Sequence, residues 1–391
     1  MVRKKVLIVG GGFGGVKLAH ELSNDKNFDV TLVTPRSRFE YHGAMYRSAT
    51  GKSPLEVVVP LSEIFADSLN VRIELDSVAE LRPQTREVEG ESGRSYGYDY
   101  LVMAVGYVVN YFDIPGMPLY SESMYNITDA IKLRHRLVGA FRSAKPHKPL
   151  QISVIGAGPT GTEIASDIEN FSRVVAGMHG IQNLELDVRL VEAAPRVLAG
   201  LSEKASHLAE KRLKALGVDV VTDGLVSKCT NNSITVNGAK LHSDITVWTA
   251  GNKANPLFAN YPDLFTLDRR GRVEVNEYFN ANSPNIFVIG DAASTQYSGM
   301  AQTAIHNAAA LAANMKRAAN NQHQLQYMPK KPEYVVPIGG EWALLETDKG
   351  VISGNDGWKA RREADKWVLE NFLVYAQANK HWQQGAKLAN F

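Results

Sequence analysis

Two glycine-rich segments have the residue types and spacing that bind dinucleotide phosphates. They read GGGFGG at residues 10–15 and GAGPTG at residues 156–161, each between a short apolar run and a helical pattern. The first glycine of such a loop permits a tight turn, the second lets backbone approach a pyrophosphate, and the third lets helix and strand pack closely. The following helix offers free N–H groups and its positive dipole end. These glycines are Gly10, Gly12, Gly15, Gly156, Gly158 and Gly161.

A chain that binds two dinucleotides can hold NAD(P)H against a second redox ring, usually a flavin, so electron transfer is the leading hypothesis. The sequence contains a single cysteine, Cys229, in a strand-like stretch. An intramolecular disulfide and a catalytic cysteine pair are therefore excluded, and so is sulfide oxidation through paired cysteines. We interpret Cys229 as a packing residue.

The hydrophobic pattern supplies the elements that must position these loops. It predicts two βαβ units, with strand, helix and strand at residues 6–9, 16–22 and 30–33, and again at residues 152–155, 162–170 and 188–191. Two further apolar runs, at residues 98–106 and 285–293, look like strands that end at a cofactor. The second run closes on Asp291, which can accept hydrogen bonds from a polyhydroxy chain such as ribitol. The alternative is a turn-forming Gly-Asp pair.

The residue at the end of each unit's second strand selects the nucleotide. In the second unit it is Glu192, whose carboxylate can accept hydrogen bonds from a ribose 2′-OH and would repel a 2′-phosphate, which favours NADH over NADPH. Arg196 is close enough in sequence to soften that preference. The matching residue of the first unit is Thr34, which can accept only one weaker hydrogen bond.

Composition narrows the function classes. At 391 residues two or three domains are expected, and 44% hydrophobic with 21% charged residues describes an ordinary globular protein. The net charge of +2 and the absence of nucleic-acid-binding motifs argue against nucleic acid as a partner. The first apolar run is too short for a signal peptide and no run reaches about 18 residues, so we expect a cytoplasmic protein without a spanning helix.

The order of motifs resembles that of the flavin-dependent pyridine-nucleotide oxidoreductases, and most closely the type II NADH:quinone oxidoreductases. The resemblance runs from about residue 5 to residue 320. It rests on the two loops, on AVG at residues 104–106 followed by NYFDIPG at 110–116, on GPTGTE at 158–163, VEAAPRVL at 191–198, WTAGNKA at 248–254 and on Gly290-Asp291.

The resemblance implies an α/β fold with two Rossmann-like dinucleotide-binding domains of the glutathione-reductase type, plus a small C-terminal β-hairpin and helical region. Residues 1–115 and 283–330 would form a discontinuous FAD-binding domain, and residues 116–282 the NADH-binding domain. Residues expected at FAD are Gly10, Gly12, Gly15, Thr34, Ala104, Gly106, Asp291 and Ala301. Residues expected at NADH are Gly156, Gly158, Gly161, Glu163, Glu192 and Gly251.

Three residues are candidates for catalysis. Glu163 matches a family glutamate near the nicotinamide side of the flavin, and the alternative is a solvated acid in the first helical turn. Gln302 matches the first glutamine of the family's Ala-Gln-x-Ala-x-Gln run, while His306 replaces the second. His306 could donate to a quinone carbonyl, supply a proton, or be an ordinary helix residue. A helix at residues 300–314 would point its N-terminus at the flavin ring.

Residues 41–46 depart from the family's Pro-Leu-Leu-Tyr-like pattern, so the wall of the flavin site is expected to differ there. No metal site is expected.

Residues 331–391 form a separate C-terminal region that could face a membrane or a dimer partner. We predict a hairpin from residues 338–345 and 351–353, then one or two helices between residues 358 and 382. An apolar stripe would consist of Ala364, Trp367, Val368, Phe372, Tyr375 and Trp382. Basic residues that could meet anionic headgroups are Lys359, Arg361, Arg362, Lys366 and Lys380. Interspersed acids and amides, which cannot snorkel, predict weak or absent membrane binding.

Three functions remain open at this point. The first is a peripheral NADH:quinone oxidoreductase, dimeric and able to sit at the inner face of the cell membrane, acting on ubiquinone or menaquinone. The second is a soluble NADH diaphorase or reductase with another acceptor. The third is a non-catalytic flavoprotein switch that senses NADH.

Overall fold

The molecule is described by a computed structural model covering residues 3–389. Its α-helices are, in chain order, α1 (Phe13–Glu21), α2 (Met45–Ala49), α3 (Leu61–Ile64), α4 (Met117–Tyr120), α5 (Ile127–Ser143), α6 (Pro159–His179), α7 (Glu203–Ala215), α8 (Ala301–Ala319), α9 (Asn355–Glu370) and α10 (Tyr375–Gln384).

Within residues 3–389 the strands fall into eight sheets. They are β1 (Lys4–Val9), β2 (Phe28–Thr34), β3 (Arg38–Glu40), β4 (Val58–Pro60), β5 (Val71–Leu75), β6 (Val78–Arg82), β7 (Glu87–Gly90), β8 (Ser95–Gly97), β9 (Tyr100–Met103), β10 (Tyr107–Val109), β11 (Ser121–Glu122), β12 (Leu150–Ile155), β13 (Leu186–Val191), β14 (Asp219–Val221), β15 (Val226–Thr230), β16 (Ser233–Val236), β17 (Ala239–His242), β18 (Ile245–Trp248), β19 (Asn252–Ala254), β20 (Val273–Glu274), β21 (Ile286–Val288), β22 (Ala293–Ser294), β23 (Tyr334–Pro337), β24 (Ala343–Thr347) and β25 (Gly350–Gly354).

Two parallel five-stranded sheets carry the two glycine loops. The first has the order β21-β9-β1-β2-β5 and the second the order β11-β18-β12-β13-β14. In each sheet the glycine loop joins a central strand, β1 or β12, to the helix that follows it. The last four residues of both central strands are buried, as expected where helices cover both faces of a parallel sheet. The predicted α/β fold with two Rossmann-like units is confirmed.

The division into residues 1–115 with 283–330, 116–282 and 331–391 remains a proposal. It is supported by the sequence positions of the strands, because every strand of the first sheet falls in the first set and every strand of the second sheet in the second. A two-stranded antiparallel ribbon of β10 and β19 joins the two units beside the loops.

Several element boundaries differ from the sequence prediction. Strand β9 ends at Met103, and β21 ends at Val288. The small residues beyond each strand form turns in which Gly106 and Gly290 adopt positive φ angles of 65° and 70°. These turns place backbone, rather than strand side chains, at the predicted cofactor edge.

The predicted strand at residues 338–345 is present only in its second half, because β24 begins at Ala343 and ends at Thr347. Gly339 and Gly340 both have left-handed backbone conformations, so the apolar run bends into a turn between β23 and β24. The predicted hairpin at residues 347–350 is present, because Thr347 pairs with Gly350 between β24 and β25. The C-terminal region is therefore a three-stranded antiparallel sheet followed by two helices.

Helix α9 packs on the three strands of that sheet and on α10. The predicted apolar stripe does not form one surface: Val368 and Phe372 are buried in the core, and the Phe372 ring lies 4.5 Å from that of Phe39. By contrast, Tyr375 is 66% exposed. None of the helices within residues 3–389 is both long enough and apolar enough to cross a membrane.

Candidate functional site

One cavity of about 700 Å³ reaches both glycine loops and the C-terminal region. From the first loop it is lined by Gly10 and Gly12, and from the second by Gly158 and Thr160. It continues to α9, where its wall includes the side chains of Ala364, Trp367 and Val368. The two nucleotide units and the C-terminal region therefore share one site.

Two glycines of the first loop, Gly10 and Gly15, are required by close backbone contacts. A Cβ on Gly15 would collide with the carbonyl oxygen of Gly10, so only glycine lets α1 approach β1 this closely. Gly10 has a φ of 115°, and a Cβ there would overlap the carbonyl of Ala104. Gly12 is the residue before α1, and a Cβ there would meet nothing within 4 Å. Open space in front of a helix N-terminus fits a phosphate group.

The second loop repeats this arrangement. A Cβ on Gly161 would collide with the Gly156 carbonyl oxygen, and one on Gly156, whose φ is 99°, would lie 2.6 Å from Cα of Ala250. Gly158 precedes α6 and has open space around it. Gly251 lies after β18 and is not one of the residues that line the cavity. A Cβ on Gly251 would lie 2.6 Å from the ring of Phe112.

Thr34 and Asp76 lie at the ends of the adjacent strands β2 and β5, and both line the cavity. Thr34 is buried, and its hydroxyl accepts a hydrogen bond from the backbone N–H of Arg36 at 3.3 Å. The Asp76 carboxylate accepts from the hydroxyls of Ser92 and Tyr96 at 2.5 and 2.8 Å. These hydrogen bonds, that of Ser92 above all, lower the pKa of Asp76 to about 2. Sequence reasoning missed Asp76, because β5 was not identified as a strand of this sheet.

Glu192 folds back onto the second loop. Its carboxylate accepts from the backbone N–H of Ala157 at 2.6 Å and of Ala194 at 2.8 Å. Arg196 donates to the carbonyl oxygens of Leu201 and Ala199, both at 2.8 Å. Because those carbonyls hold its guanidinium, Arg196 is a poorer candidate for softening the nucleotide preference than its sequence position indicates.

Small residues and one acid form the part of the cavity wall next to the first loop. Ala104, Gly106 and Asp291 line the cavity, and Asp291 accepts from the backbone N–H of Gly299 at 3.1 Å. Burial raises the pKa of Asp291. A partly buried carboxyl that faces a cavity and has spare lone pairs is suited to accept hydrogen bonds from hydroxyl groups.

Helix α8 begins at the cavity. Ala301 and Gln302 in its first turn are lining residues, and the Gln302 amide donates to the Glu333 carbonyl at 3.3 Å. His306 lies one turn further along α8 and, among the described residues, is not one of those that line the cavity. Its ring lies 6.4 Å from that of Trp367, which does line the cavity. Burial lowers the pKa of His306. Gln302 thus faces the cavity directly, and His306 stands behind Trp367.

Glu163 lines the cavity and is only 6% exposed, so the solvated alternative is wrong. Its carboxylate accepts from the Arg361 guanidinium at 3.1 Å. Burial raises the pKa of Glu163 to about 7, although Arg361 and Arg47 favour the charged form. A carboxyl with this pKa can hold or release a proton near neutral pH.

Glu163 is one end of a buried arginine–carboxylate cluster that joins α2, α6 and α9. Asp365 lies at its centre, 2.9 Å from Arg361 and 2.7 Å from Arg47, and Arg362 contacts it at 3.2 Å. Burial alone would raise the pKa of Asp365, but the three arginines together lower it to about 2. The cluster contains three arginines and three carboxyl groups: Arg47, Arg361, Arg362, Glu56, Glu163 and Asp365.

The cluster corrects two predictions for the C-terminal region. Arg361 and Arg362 were expected to face lipid headgroups, yet their side chains are 7% and 15% exposed and bind carboxylates inside the protein. The segment that departs from the family pattern meets the same helix: Tyr41 donates to Asp365 at 2.7 Å, and the Gly43 carbonyl accepts from Arg361. The atypical residues therefore belong to the contact with α9.

Cys229 is buried on β15 and is not among the lining residues. Within residues 3–389, no group of three or more His, Cys, Asp or Glu side chains is placed to hold a metal ion.

A family model of the pyridine nucleotide-disulphide oxidoreductases matches residues 4–310. The type II NADH:quinone oxidoreductase Ndh of Mycobacterium tuberculosis is 32% identical over 336 residues, which are 80% of this chain and 72% of that protein. The type II NADH:quinone oxidoreductase of Staphylococcus epidermidis is 26% identical over 393 residues, covering 95% of this chain and 96% of that protein.

Solved structures also resemble the chain. NDH2 from Plasmodium falciparum in complex with NADH has a TM-score of 0.86 at 16% identity, and the match covers 98% of this chain and 97% of that one. The sulfide:quinone oxidoreductase from Aquifex aeolicus has a TM-score of 0.80 at 19% identity, with coverage of 99% and 96%. At these identities the likeness concerns the fold.

Proposed function

The chain belongs to the type II NADH:quinone oxidoreductases, within the pyridine nucleotide-disulphide oxidoreductase family, and on that premise we propose that it oxidises NADH and reduces a quinone. The observation that carries the proposal is the single cavity that touches both glycine loops and runs on past Glu163 and Gln302 to α9. Electrons leave without a cysteine pair, because the only cysteine lies outside that wall.

We propose FAD as the cofactor of the first unit. The open space at Gly12 before α1 suits its pyrophosphate, and the partly buried carboxyl of Asp291 suits hydroxyl groups of its ribitol. Ala104, Gly106 and Ala301 would border its ring, and Thr34 would lie toward its adenosine. Bound FAD supplies the two-electron chemistry, accepting hydride from NADH and passing electrons to the acceptor.

We propose that NADH binds the second unit. Gly158 leaves room for its pyrophosphate at the start of α6. Glu192 already accepts two backbone hydrogen bonds, and its remaining lone pairs would accept from the ribose hydroxyl, which favours NADH over NADPH. Holding donor and acceptor in one cavity makes their reaction effectively unimolecular.

The protein's own residues would orient the reactants and manage protons at the acceptor end. The N-terminus of α8 directs its positive dipole into the cavity beside Ala301, where it would stabilise negative charge. Gln302 would donate to a quinone carbonyl, and Glu163 would hold the proton that the reduced quinone oxygen takes. His306 would act through Trp367, as a positioning residue for the quinone ring.

We further propose weak peripheral contact with the membrane. The exposed apolar side chains at the start of α10 are Val374 and Tyr375, both 66% exposed, and Trp367 is 38% exposed. This small set favours weak attachment at the cytoplasmic face of the membrane. A homodimer and the choice between ubiquinone and menaquinone remain predictions, to be tested by solution mass and by comparing the two quinones.

Reducing the protein with NADH in the absence of oxygen, and then mixing it with a short-chain quinone, tests the function. Rapid reoxidation of the flavin is expected. Gln302→Ala should slow that reoxidation and spare reduction by NADH. Slow reoxidation of the wild type would favour a diaphorase with another acceptor, and equal losses in both half-reactions would reject the role of Gln302.

A further inference from the structure

Three arginines line the cavity, and they differ in what neutralises their charge. Arg361 pairs with Glu163 at 3.1 Å, and Arg38 pairs with Glu40 at 3.0 Å. Arg36 forms no ion pair within residues 3–389, where its guanidinium contacts an aromatic ring instead. A cation that lines a cavity without an anionic partner is suited to bind a negatively charged ligand.

Arg36 lies next to the first glycine loop. Its backbone N–H donates at 3.3 Å to the hydroxyl of Thr34, the last residue of β2. A Cβ on Gly11 would lie 2.5 Å from the same hydroxyl oxygen, so the loop and the end of β2 are in close contact. All three residues line the cavity. Arg36 therefore follows directly on the part of β2 that borders the loop before α1.

The ring of Tyr125 supports the guanidinium of Arg36. The guanidinium carbon is 5.5 Å from the centre of that ring, a cation–π distance. Tyr125 is itself held in place, because its hydroxyl donates to the Tyr107 carbonyl at 2.9 Å and its carbonyl accepts from Nε2 of His42 at 3.0 Å. A cation–π contact leaves most N–H groups of an arginine available to an anion, and it restricts the positions that the side chain adopts.

The contacts of Tyr125 lead to the first turn of α1. The ring of His42 lies 6.3 Å from that of Phe13, the first residue of α1. Both rings and that of Tyr125 line the cavity. Arg36 is therefore connected to the junction of the loop and α1 by two sets of contacts, one through Thr34 and one through Tyr125. A helix N-terminus of this kind favours a phosphate group.

The second unit has the opposite charges at the matching positions. Thr34 matches Glu192, and in both units this side chain accepts from the backbone N–H two residues later, that of Arg36 in the first and of Ala194 in the second. At these two positions the first unit has a hydroxyl and a cation, where the second has a carboxylate and a methyl group. The first unit is therefore better suited here to bind phosphate than ribose.

The charge of a dinucleotide exceeds what a helix alone offers. A helix N-terminus carries roughly half a positive charge, whereas the diphosphate of FAD carries about two negative charges. Asp76, whose pKa is about 2, lines the same cavity and adds a negative charge to its wall. A cation beside α1 would offset both.

We propose that Arg36 binds the diphosphate of FAD, an inference that rests on the cofactor and function proposed above. Arg36 donates to the diphosphate oxygen atoms while Tyr125 holds its guanidinium in place. This contact offsets the weak ribose contact that Thr34 offers. Arg36 acts in binding and takes no part in electron transfer.

The rate at which the FAD-loaded protein releases its flavin tests the proposal, and flavin fluorescence after dilution measures that rate. Arg36→Gln should release FAD at least about tenfold faster than wild type, because a charged hydrogen-bond donor is lost. Arg36→Lys keeps the charge and should restore most of the difference. Raising KCl from about 0.05 M to about 0.5 M should speed release from wild type more than from Arg36→Gln, because salt screens the charge.

Arg38→Gln is the matched control. Arg38 lines the same cavity, but its charge is paired with Glu40, so release of FAD should stay within about twofold of wild type. Tyr125→Leu removes the aromatic support and keeps the cation, and should release FAD about threefold faster. It serves in place of Arg36→Gln if that variant fails to fold.

An unchanged release rate in Arg36→Gln, or in Tyr125→Leu where it takes that place, would overturn the proposal. Faster release that keeps the wild-type salt dependence and is not reversed by Arg36→Lys would mean a structural role only, which also overturns it. Equal acceleration in Arg38→Gln would assign the effect to the overall charge of the wall and reject a specific contact. A wild type that takes up no FAD would instead overturn the proposed cofactor and function.

Discussion

The two glycine-loop units share their loop geometry but differ in charge at the same helical position. Lys17 and Glu163 both lie two residues after the third glycine of their loops. Lys17 donates to the carbonyl of Asn371 at 3.2 Å and pairs with Glu21 at 2.9 Å. Glu163 accepts from Arg361 at 3.1 Å. Both positions therefore contact the C-terminal region, one as a cation and one as an acid.

This difference in charge shows that the βαβ unit has two separate functions, phosphate binding by the loop and a second function set by the side chain at this helical position. The loop and the helix N-terminus bind phosphate in either unit, because that depends on backbone and small residues. The side chain two residues after the third glycine, Lys17 or Glu163, does not bind phosphate and can therefore differ between the two units. In the first unit it fastens the C-terminal region, and in the second it places a carboxyl with a pKa of about 7 at the cavity.

The largest expected effect is on stability at this shared position. Arg361→Ala leaves Glu163 buried without its ion-pair partner and Asp365 with two of its three arginines, and should lower the free energy of unfolding by about 3–5 kcal/mol. Lys17→Ala removes a pair whose acid is 34% exposed, and should lower it by only about 1 kcal/mol. Urea unfolding of both variants measures the contrast, and equal losses would remove the distinction between the two units.

The second prediction concerns pH. The folded pKa of Glu163 lies above the ordinary value of 4.5, so the folded state holds a proton that the unfolded chain releases, and stability from this group falls as pH rises from 4.5 through about 7. Glu163→Gln lacks this titration. Its free energy of unfolding, relative to that of wild type, should therefore rise by about 3 kcal/mol between pH 5 and pH 8. A constant difference at the two pH values would contradict the raised pKa.

The third prediction tests the shared loop geometry. Gly15→Ala and Gly161→Ala each force a Cβ against a backbone carbonyl, and each should lower the free energy of unfolding by about 1–3 kcal/mol. Gly15→Ala should release FAD on desalting, whereas Gly161→Ala should keep FAD and weaken NADH binding. Gly139→Ala, in α5 with open space around it, is the control. Loss of FAD from both loop variants alike would reject the assignment of one nucleotide to each unit.

The smallest effect is expected at the strand ends. Glu192→Ala should lower kcat/KM for NADH about tenfold and narrow the gap to NADPH, because a charged acceptor of the ribose hydroxyl is lost. Thr34→Ala should weaken FAD binding by about threefold or less, since a hydroxyl accepts a weaker hydrogen bond. Steady-state kinetics and flavin titration measure the two changes. An unchanged NADH to NADPH ratio would remove Glu192 from the specificity argument.

Sequence reasoning found the loops because their signal is local. A strand, a glycine turn and a helix lie within about twenty residues, and each glycine has a steric reason within that span. The error at residues 338–345 was also local: Gly339-Gly340 interrupts the apolar run, and that breaker signal predicts the observed turn.

The buried arginine–carboxylate cluster around Glu163 could not be predicted from local sequence signals. Arg361 and Asp365 are spaced as an ordinary surface ion pair of a helix. Their burial follows from contacts with residues far away in the sequence, Arg47 and Glu163. Their partner Arg47 directly follows residues 41–46, whose departure from the family pattern was visible, although the reason for it was not. Contacts across more than 300 residues carry no periodic signal.

The same long-range cluster sets an order of assembly during synthesis. Arg47 and Glu56 are nine residues apart and can pair early, but Glu56 and Arg362 are separated by 306 residues. At about 5–20 residues per second, a ribosome needs roughly 15–60 s to add that length. Both glycine-loop units can therefore fold before α9 has been synthesised and covers the cavity. A nascent chain can become able to accept electrons from NADH before it becomes able to pass them to an acceptor.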